Sequence, residues 1–316
     1  MIGKGIRIIS TGAVHPGKKV TNDDLSQIVD TSDEWIFSRT GIKSRFFCDT
    51  QNDESCLSMA LGAASKALLL SGISKDEIGC CICATISGDY ATPSVACLVQ
   101  EALSLPEDIP VLDINAACSG FIYGLEVARN FLNNSSKKYG LVIGSEQLSR
   151  LLDMTDRSTC VLFGDGSGAA VIELDDNAPY ESFLGARGGK AIFCNGAGTS
   201  KNYINMDGTA VFKFAVTSIP LCINTLLERS NLSLDDIDLV VCHQANSRII
   251  DHCVKKLKAP SEKFYKDMDH FGNTSAASIP LALNELYEEE RLVPGTKLLL
   301  VGFGSGLTWG GALITV

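Results

Sequence analysis

Apolar residues in this chain come in short continuous runs rather than in strict alternation. Val, Ile, Leu and Cys dominate Gly79 to Thr85, Val111 to Ile114, Gly140 to Gly144, Ala169 to Leu174, Asp238 to Cys242 and Lys297 to Val301. Continuous runs of this length predict strands buried on both faces. Helical stretches lie between them. Ser55 to Ser71 is rich in Ala and Leu, and Gly72 follows as a stop signal. The alternation of the two patterns from end to end predicts an α/β fold whose helices cover mainly buried sheets.

The pattern also repeats. Gly79 to Ala84 resembles Asp238 to His243, about 159 positions later. Each run is followed by a small-residue helix start, Ala116-Ala117-Cys118-Ser119-Gly120 in one case and Asn273-Thr274-Ser275-Ala276-Ala277-Ser278 in the other. Each of those helices leads to another apolar strand ending in glycine, at Gly144 and Gly302. A repeat near half the chain length predicts two similar halves packed on a shared core, divided as residues 1–175 and 176–316.

Composition narrows the class. The 316 residues are 45% hydrophobic and 20% charged, as in an ordinary globular protein. No uninterrupted apolar run reaches the roughly 18 to 20 residues that a membrane span needs. The first residues carry no signal-peptide pattern, which leads us to expect a cytoplasmic protein. Twelve cysteines at irregular spacing, many inside strand-like runs, read as reduced, packed thiols. With no pair of CxxC motifs, a zinc ribbon is not expected. A formal net charge of −10 argues against general affinity for nucleic acid and makes any local basic cluster notable.

One cysteine stands apart from the packed ones. Cys118 ends the strand-like run Val111 to Ile114 and opens a long apolar helix, with Ala116, Ala117, Ser119 and Gly120 around it. A thiol at a helix N-terminus faces unpaired N–H groups, so its thiolate is expected to be favoured. A free cysteine that merely packs is the alternative. Of the four histidines, His243 follows the strand Asp238 to Cys242 and precedes a polar turn, where parallel sheets place their sites. His252 reads as a surface residue of the next helix. Asn273 is either a helix cap or a neutral amide donor, and both roles fit a strand-to-helix junction. The glycine-rich stretch Gly302 to Gly306 lacks a P-loop ending and a dinucleotide fingerprint. It suits an oxyanion-stabilising turn. Gly164 to Gly168 reads as a turn between strands.

Taken together, these segments resemble the β-ketoacyl-acyl carrier protein synthase III family, condensing enzymes of the thiolase superfamily. The resemblance is carried by Asp33 to Ile36 with Arg39 to Ile42, Asn115 to Phe121, Phe163 to Gly166, Met206 to Gly208, His243 to Asn246, Gly272 to Ser275 and Gly304 to Gly310, in the family's order. It implies a five-layered αβαβα fold of two duplicated halves and a homodimer. It also implies that Cys118 takes an acyl group from acyl-CoA as a thioester. His243 and Asn273 would then assist decarboxylation of malonyl-acyl carrier protein. A ping-pong condensation to 3-oxoacyl-acyl carrier protein would follow. The backbone N–H groups of Cys118 and Ser305 would form an oxyanion hole. Elongating condensing enzymes carry two histidines with the cysteine, and degradative thiolases a second cysteine. Neither pattern fits His243 with Asn273.

By the same resemblance, Trp35 and Arg150 would sandwich the adenine of CoA. Arg39 would meet phosphate, Thr31 would lie near the adenine, and Phe212 and Asn246 would line the pantetheine tunnel. No cofactor is implied, since the CoA thioester is a substrate. Arg248, Lys255 and Lys256 fall opposite the apolar stripe of the helix after His243. That stripe is Ile249, Ile250, Cys253, Val254 and Leu257. The basic face would steer an acidic carrier protein, although it also reads as an ordinary solvated face. Acetyl-preferring members often have an aromatic residue at the position of Thr92. Its loss predicts a roomier primer pocket for longer or branched acyl groups, unless Tyr90 refills it. A ketosynthase or acyltransferase that starts secondary metabolites would use the same triad. A papain-like protease is not expected without disulfides or a cysteine motif near the N-terminus. A non-catalytic relative would be expected to lose one of the three residues.

Overall fold

The computed structural model describes residues 4–196 and 203–316. Nine of the described strands form one ladder. On one side of it, Val111–Ile114, Ile78–Ala84, Tyr139–Glu146, Gly166–Asp175 and Gly5–Val14 lie in that order. On the other side the order is Leu239–Cys242, Lys297–Gly304, Thr308–Thr315 and Glu181–Ala186. The two sides join where Arg7 pairs with Thr315. Each side has the same grammar. Ile78–Ala84 runs parallel to Tyr139–Glu146, and Leu239–Cys242 runs parallel to Lys297–Gly304. In each case an antiparallel strand follows.

Alternating side chains sort the core into layers. Cys81, Cys83, Leu141 and Ile143 face outward onto the helices Cys56–Ser71 and Val95–Leu103. Their neighbours Cys80, Ile82 and Val142 face inward onto Gly120–Asn133 and Ser278–Glu288. Val241, Leu298 and Leu300 of the second side meet the same two helices from the other direction. Val240, Leu299 and Val301 then face outward onto Gly208–Ser230 and Ser247–Leu257. Helix, sheet, helix pair, sheet and helix make five layers, and the two-residue period of a strand produces them. All twelve cysteines are free thiols.

Boundaries follow local chemistry. Ser55 caps the helix Cys56–Ser71 in a reciprocal pair with Ser58, and Gly72 ends it at φ 68°. The expected turn at Gly164 to Gly168 is instead mostly strand, since Gly166 already pairs with Glu146. A Cβ on Gly168 would lie 2.6 Å from the Pro280 carbonyl carbon, so the glycine serves close helix packing rather than a bend. The strand Lys297–Gly304 likewise runs on through Gly302 and Gly304. The helix Gly208–Ser230 is long and apolar enough to span a membrane by length and composition. Half of its apolar window is buried in the protein, where Phe214, Ile219 and Ile223 cover the second side of the ladder.

Candidate active site

The strand Val111–Ile114 ends at Asn115, and the chain then makes a three-residue 3-10 turn, Ala117–Ser119, before the helix Gly120–Asn133. Cys118 sits at the middle of that turn. Ala117 adopts φ 46°, a left-handed conformation that turns the thiol toward the next layer. Two glycines of the strand Lys297–Gly304 make room for it. A Cβ on Gly304 would lie 2.7 Å from the Cys118 nitrogen, and one on Gly302 would lie 3.0 Å from the Ser119 Cα.

The three expected residues converge. Cys118, His243 and Asn273 line one cavity of about 130 Å³, together with Phe303, Gly304, Phe212 and Asn246. His243 Nδ1 lies 2.7 Å from the Ser278 hydroxyl, and its ring meets Phe303 edge-on at 5.2 Å. Ser278 also accepts from the Gln244 N–H, so we assign its own proton to Nδ1 and the imidazole proton to Nε2. Burial pushes His243 down to about 3, which keeps the ring neutral. Asn273 Oδ1 accepts the Ser275 N–H at 3.0 Å, which leaves its NH₂ as the free end. Asn273 closes its turn through the side-chain oxygen, while Thr274 holds the N-cap position of Ser275–Ala277, and the NH₂ left over is what the donor reading requires.

The resting thiol differs from expectation. Burial pushes Cys118 up to about 12, while Ser275 and its own backbone N–H pull the other way. The sequence places Cys118 at a helix start, but the regular helix begins only at Gly120 and the sulfur is enclosed. Desolvation outweighs the helix end, and the resting group is a thiol.

A second cavity, of about 30 Å³, opens on the other side of Cys118. Ile86, Leu148, Phe163, Ile192 and Ile204 give it apolar walls, and Ser275 and Ser305 sit at its edge. The Ser305 hydroxyl is tied to the Ile192 carbonyl at 2.7 Å. Among the described residues its backbone N–H has no backbone partner, and neither has that of Cys118. Tyr90 and Thr92 are exposed and stand apart from the described residues that line these two cavities.

At the mouth, Asn246 caps the helix Ser247–Leu257 and donates to the Arg39 carbonyl at 3.0 Å, joining Asp33–Thr40 to the cavity wall. The guanidinium groups of Arg39 and Arg157 stand 4.6 and 5.0 Å from the Trp35 ring. Arg150 does not reach it. Its guanidinium donates to the Ser87 and Gly88 carbonyls and pairs with Asp89 at 3.7 Å. Arg157 is the residue that sequence reasoning missed, and Thr155-Asp156-Arg157, just ahead of Phe163 to Gly166, was the available signal. The Thr31 hydroxyl is buried without a hydrogen-bond partner among the described residues. Arg248, Lys255 and Lys256 are exposed on the helix that leads away from Asn246.

The sequence matches two family profiles, 3-Oxoacyl-[acyl-carrier-protein (ACP)] synthase III over residues 112–188 and its C-terminal part over residues 227–316. The chain belongs to this family. It is 43% identical to the Beta-ketoacyl-[acyl-carrier-protein] synthase III of Clostridium tetani, over 99% of each chain. Its fold superposes on the 3-oxoacyl-[acyl-carrier-protein] synthase III of Aquifex aeolicus VF5 with a TM-score of 0.93 and 41% identity, covering 99% of this chain and 100% of that one. A priming β-ketosynthase of the R1128 polyketide pathway gives 0.91 and 30% identity, with 99% and 97% covered. The five layers are thus those of a thiolase-type condensing enzyme, an acyl-transferring family of fatty acid synthesis.

Proposed function

We propose that this synthase starts fatty acid chains by a ping-pong condensation through an acyl-Cys118 intermediate. One observation carries the reading. Cys118 lines both cavities, whereas His243 and Asn273 line only the larger one. An acyl group on the sulfur can lie in the small apolar cavity while a second substrate occupies the large one.

In the first half-reaction the sulfur attacks the acyl-CoA carbonyl, and the N–H groups of Cys118 and Ser305 receive the oxyanion. CoA leaves with the C–S electron pair. In the second, malonyl-acyl carrier protein loses CO₂ in the large cavity. The enolate oxygen formed there meets two neutral donors, His243 Nε2–H and the Asn273 NH₂. Its carbon then attacks the thioester. A neutral imidazole suits this task, because it donates without protonating the carbon nucleophile. Trp35, Arg39, Arg157 and Thr31 hold the nucleotide end of CoA, while Phe212 and Asn246 flank the pantetheine. Arg248, Lys255 and Lys256 receive the acidic carrier protein. A homodimer belongs to the same reading, and sedimentation measures it.

The small cavity holds roughly two water-sized groups. A short primer of acetyl or propionyl size fits it better than the longer or branched primer that Thr92 suggested. The test is intact mass after brief exposure to acyl-CoAs of increasing length, beside Cys118→Ala. An adduct on the native protein alone, strongest for short acyl groups, supports the proposal. No adduct with any CoA thioester moves the reading to a carrier-loaded ketosynthase.

A further inference from the structure

Behind Cys118 lies a buried carboxyl group for which the condensation above has no use. Glu146 ends the strand Tyr139–Glu146 and is fully buried. One of its oxygens, Oε2, accepts three hydrogen bonds, from the Ser87 hydroxyl at 2.5 Å, the Ile86 N–H at 3.1 Å and the Thr85 hydroxyl at 3.3 Å. The other, Oε1, is buried without a hydrogen-bond partner among the described residues. The Ser275 hydroxyl is also buried without a well-formed hydrogen bond. It stands between the two groups, and its dipole acts on both the Cys118 thiol and the Glu146 carboxyl.

The backbone fixes this juxtaposition. A Cβ on Gly144 would lie 2.2 Å from the Ala276 carbonyl oxygen, so the turn Ser275–Ala277 is pressed onto the strand that ends in Glu146. Ser275 is held at φ 51°, and it shares the small cavity with Cys118. The Ser275 hydroxyl shares a cavity with the Cys118 thiol, and its turn packs on the strand that carries the other orphaned oxygen, so a proton path accounts for both unpartnered atoms together.

We propose that Glu146, acting through the Ser275 hydroxyl, takes the Cys118 proton during acylation and returns it during condensation. The inference rests on the acyl-transfer reading of Cys118. In the first half-reaction the thiol proton passes to Ser275 Oγ while the Ser275 proton passes to Glu146 Oε1. The sulfur lone pair forms the new S–C bond, and CoA departs as a thiolate that takes its proton from solvent at the mouth. The acyl-enzyme therefore holds a neutral thioester beside a neutral carboxylic acid. In the second half-reaction the malonyl C–CO₂ pair becomes the carbon nucleophile, and the displaced Cys118 sulfur recovers the stored proton through Ser275. Charge balances, because one malonyl carboxylate is consumed and one Glu146 carboxylate reappears.

Two properties suit Glu146 to this task. Burial pushes it up to about 7, within reach of both protonation states near neutrality, whereas His243 at about 3 is a poor base. It has no cation among its ion pairs in the described residues, and the titratable groups that face it are the thiols of Cys56, Cys83 and Cys118. When ionised, Glu146 opposes a second charge on Cys118. Moving the proton relocates that charge instead of adding one.

The pH dependence of Cys118 alkylation by iodoacetamide tests the relay without any CoA substrate. Single-turnover acylation then tests it in the reaction. In the native protein both rates should rise as pH passes through about 7. Glu146→Gln should slow both by about 100-fold and remove that rise. Glu146→Asp should recover part of the rate, and Ser275→Ala should behave like Glu146→Gln. An unchanged pH profile in a folded Glu146→Gln or in Ser275→Ala overturns the proposal. If Glu146→Gln does not fold, the native profile and Ser275→Ala decide alone. A normal alkylation profile with no acylation by any CoA thioester sinks the substrate reading and leaves the relay standing.

Discussion

The turns Ala117–Ser119 and Ser275–Ala277 are built alike and do different work. They lie 158 positions apart, as do the strands Tyr139–Glu146 and Lys297–Gly304 that pack beneath them. Each opens with a residue at positive φ, Ala117 at 46° and Ser275 at 51°. Each is preceded by an asparagine whose Oδ1 accepts the N–H two residues on, Asn115 at 3.4 Å and Asn273 at 3.0 Å. Each leads into a helix of the central layer. The middle residue is Cys118 in one and Ala276 in the other. Asn115 is exposed while Asn273 is buried against the cavity. The lesson is that the duplicated backbone supplies position, and single side chains divide the labour. In the proposed reaction the first half carries the nucleophile and the second half carries the His243 and Asn273 donors.

Replacing Cys118 with alanine makes the two turns chemically alike and should have the largest effect. We expect kcat to fall by at least about 10⁴-fold and the acyl adduct to vanish from the intact mass. The asparagines come next. Asn273→Ala should lower kcat by roughly 10² to 10³-fold, the usual cost of one oxyanion donor. Asn115→Ala should change kcat little and lower stability by about 1 kcal/mol, read from a melt. Equal kinetic losses at both positions would erase the division of labour.

The glycines beneath the turns sharpen the contrast. Gly304→Ala pushes a methyl onto the Cys118 nitrogen and should lower kcat about 100-fold by displacing the sulfur. Gly144→Ala pushes onto the Ala276 carbonyl instead and should appear mainly as about 1–3 kcal/mol of lost stability in a denaturant titration. The two arginines at the mouth form a smaller pair. Arg157→Ala should raise KM for acyl-CoA about tenfold, while Arg150→Ala should leave KM unchanged.

Stability against pH also separates the two halves. His243 ends one strand and Thr85 ends its counterpart, so only one half carries a titratable group there. Because burial holds folded His243 at about 3, below its ordinary 6.5, unfolding takes up a proton in that window. Its stabilising contribution is present above pH 6.5 and is lost as pH falls toward about 3. Glu146 runs the opposite way. Its folded value is raised from 4.5 to about 7, so its contribution is present below pH 4.5 and is lost as pH rises through about 7. Urea midpoints should flatten between about pH 3 and 4.5 for His243→Asn and between about 6.5 and 7 for Glu146→Gln, while between 4.5 and 6.5 the two contributions oppose and either variant exposes the slope of the other.

Much of this was legible in the sequence. Continuous apolar runs marked the strands, because strands covered on both faces need no polar alternation. Small residues around Cys118 marked the close approach that Gly304 completes. What escaped depended on distance through space. Arg150 sits nearest the end of a buried strand, yet a loop carries Arg157 to Trp35, and no periodicity reports where a loop returns. Glu146 follows the run Gly140 to Gly144 by two positions, and nothing in its neighbours shows that Ser275 will close over it. The acidity of Cys118 was misjudged for a related reason. Position at a helix start is visible in a sequence, whereas enclosure by another half of the chain is not.

The ladder also sets a timetable. The strand Gly5–Val14 hydrogen-bonds along most of its length to Gly166–Asp175. A ribosome adding about 5 to 20 residues per second needs roughly 10 to 30 s to reach that partner. For that interval the edge carrying Ile6 and Ile8 has no native strand to pair with. The helix Gly120–Asn133 waits longer for the rest of its apolar cover, because Lys297–Gly304 and Thr308–Thr315, which supply part of it, are among the last segments made. A cell that makes this enzyme must shelter an unfinished sheet until the final strands arrive.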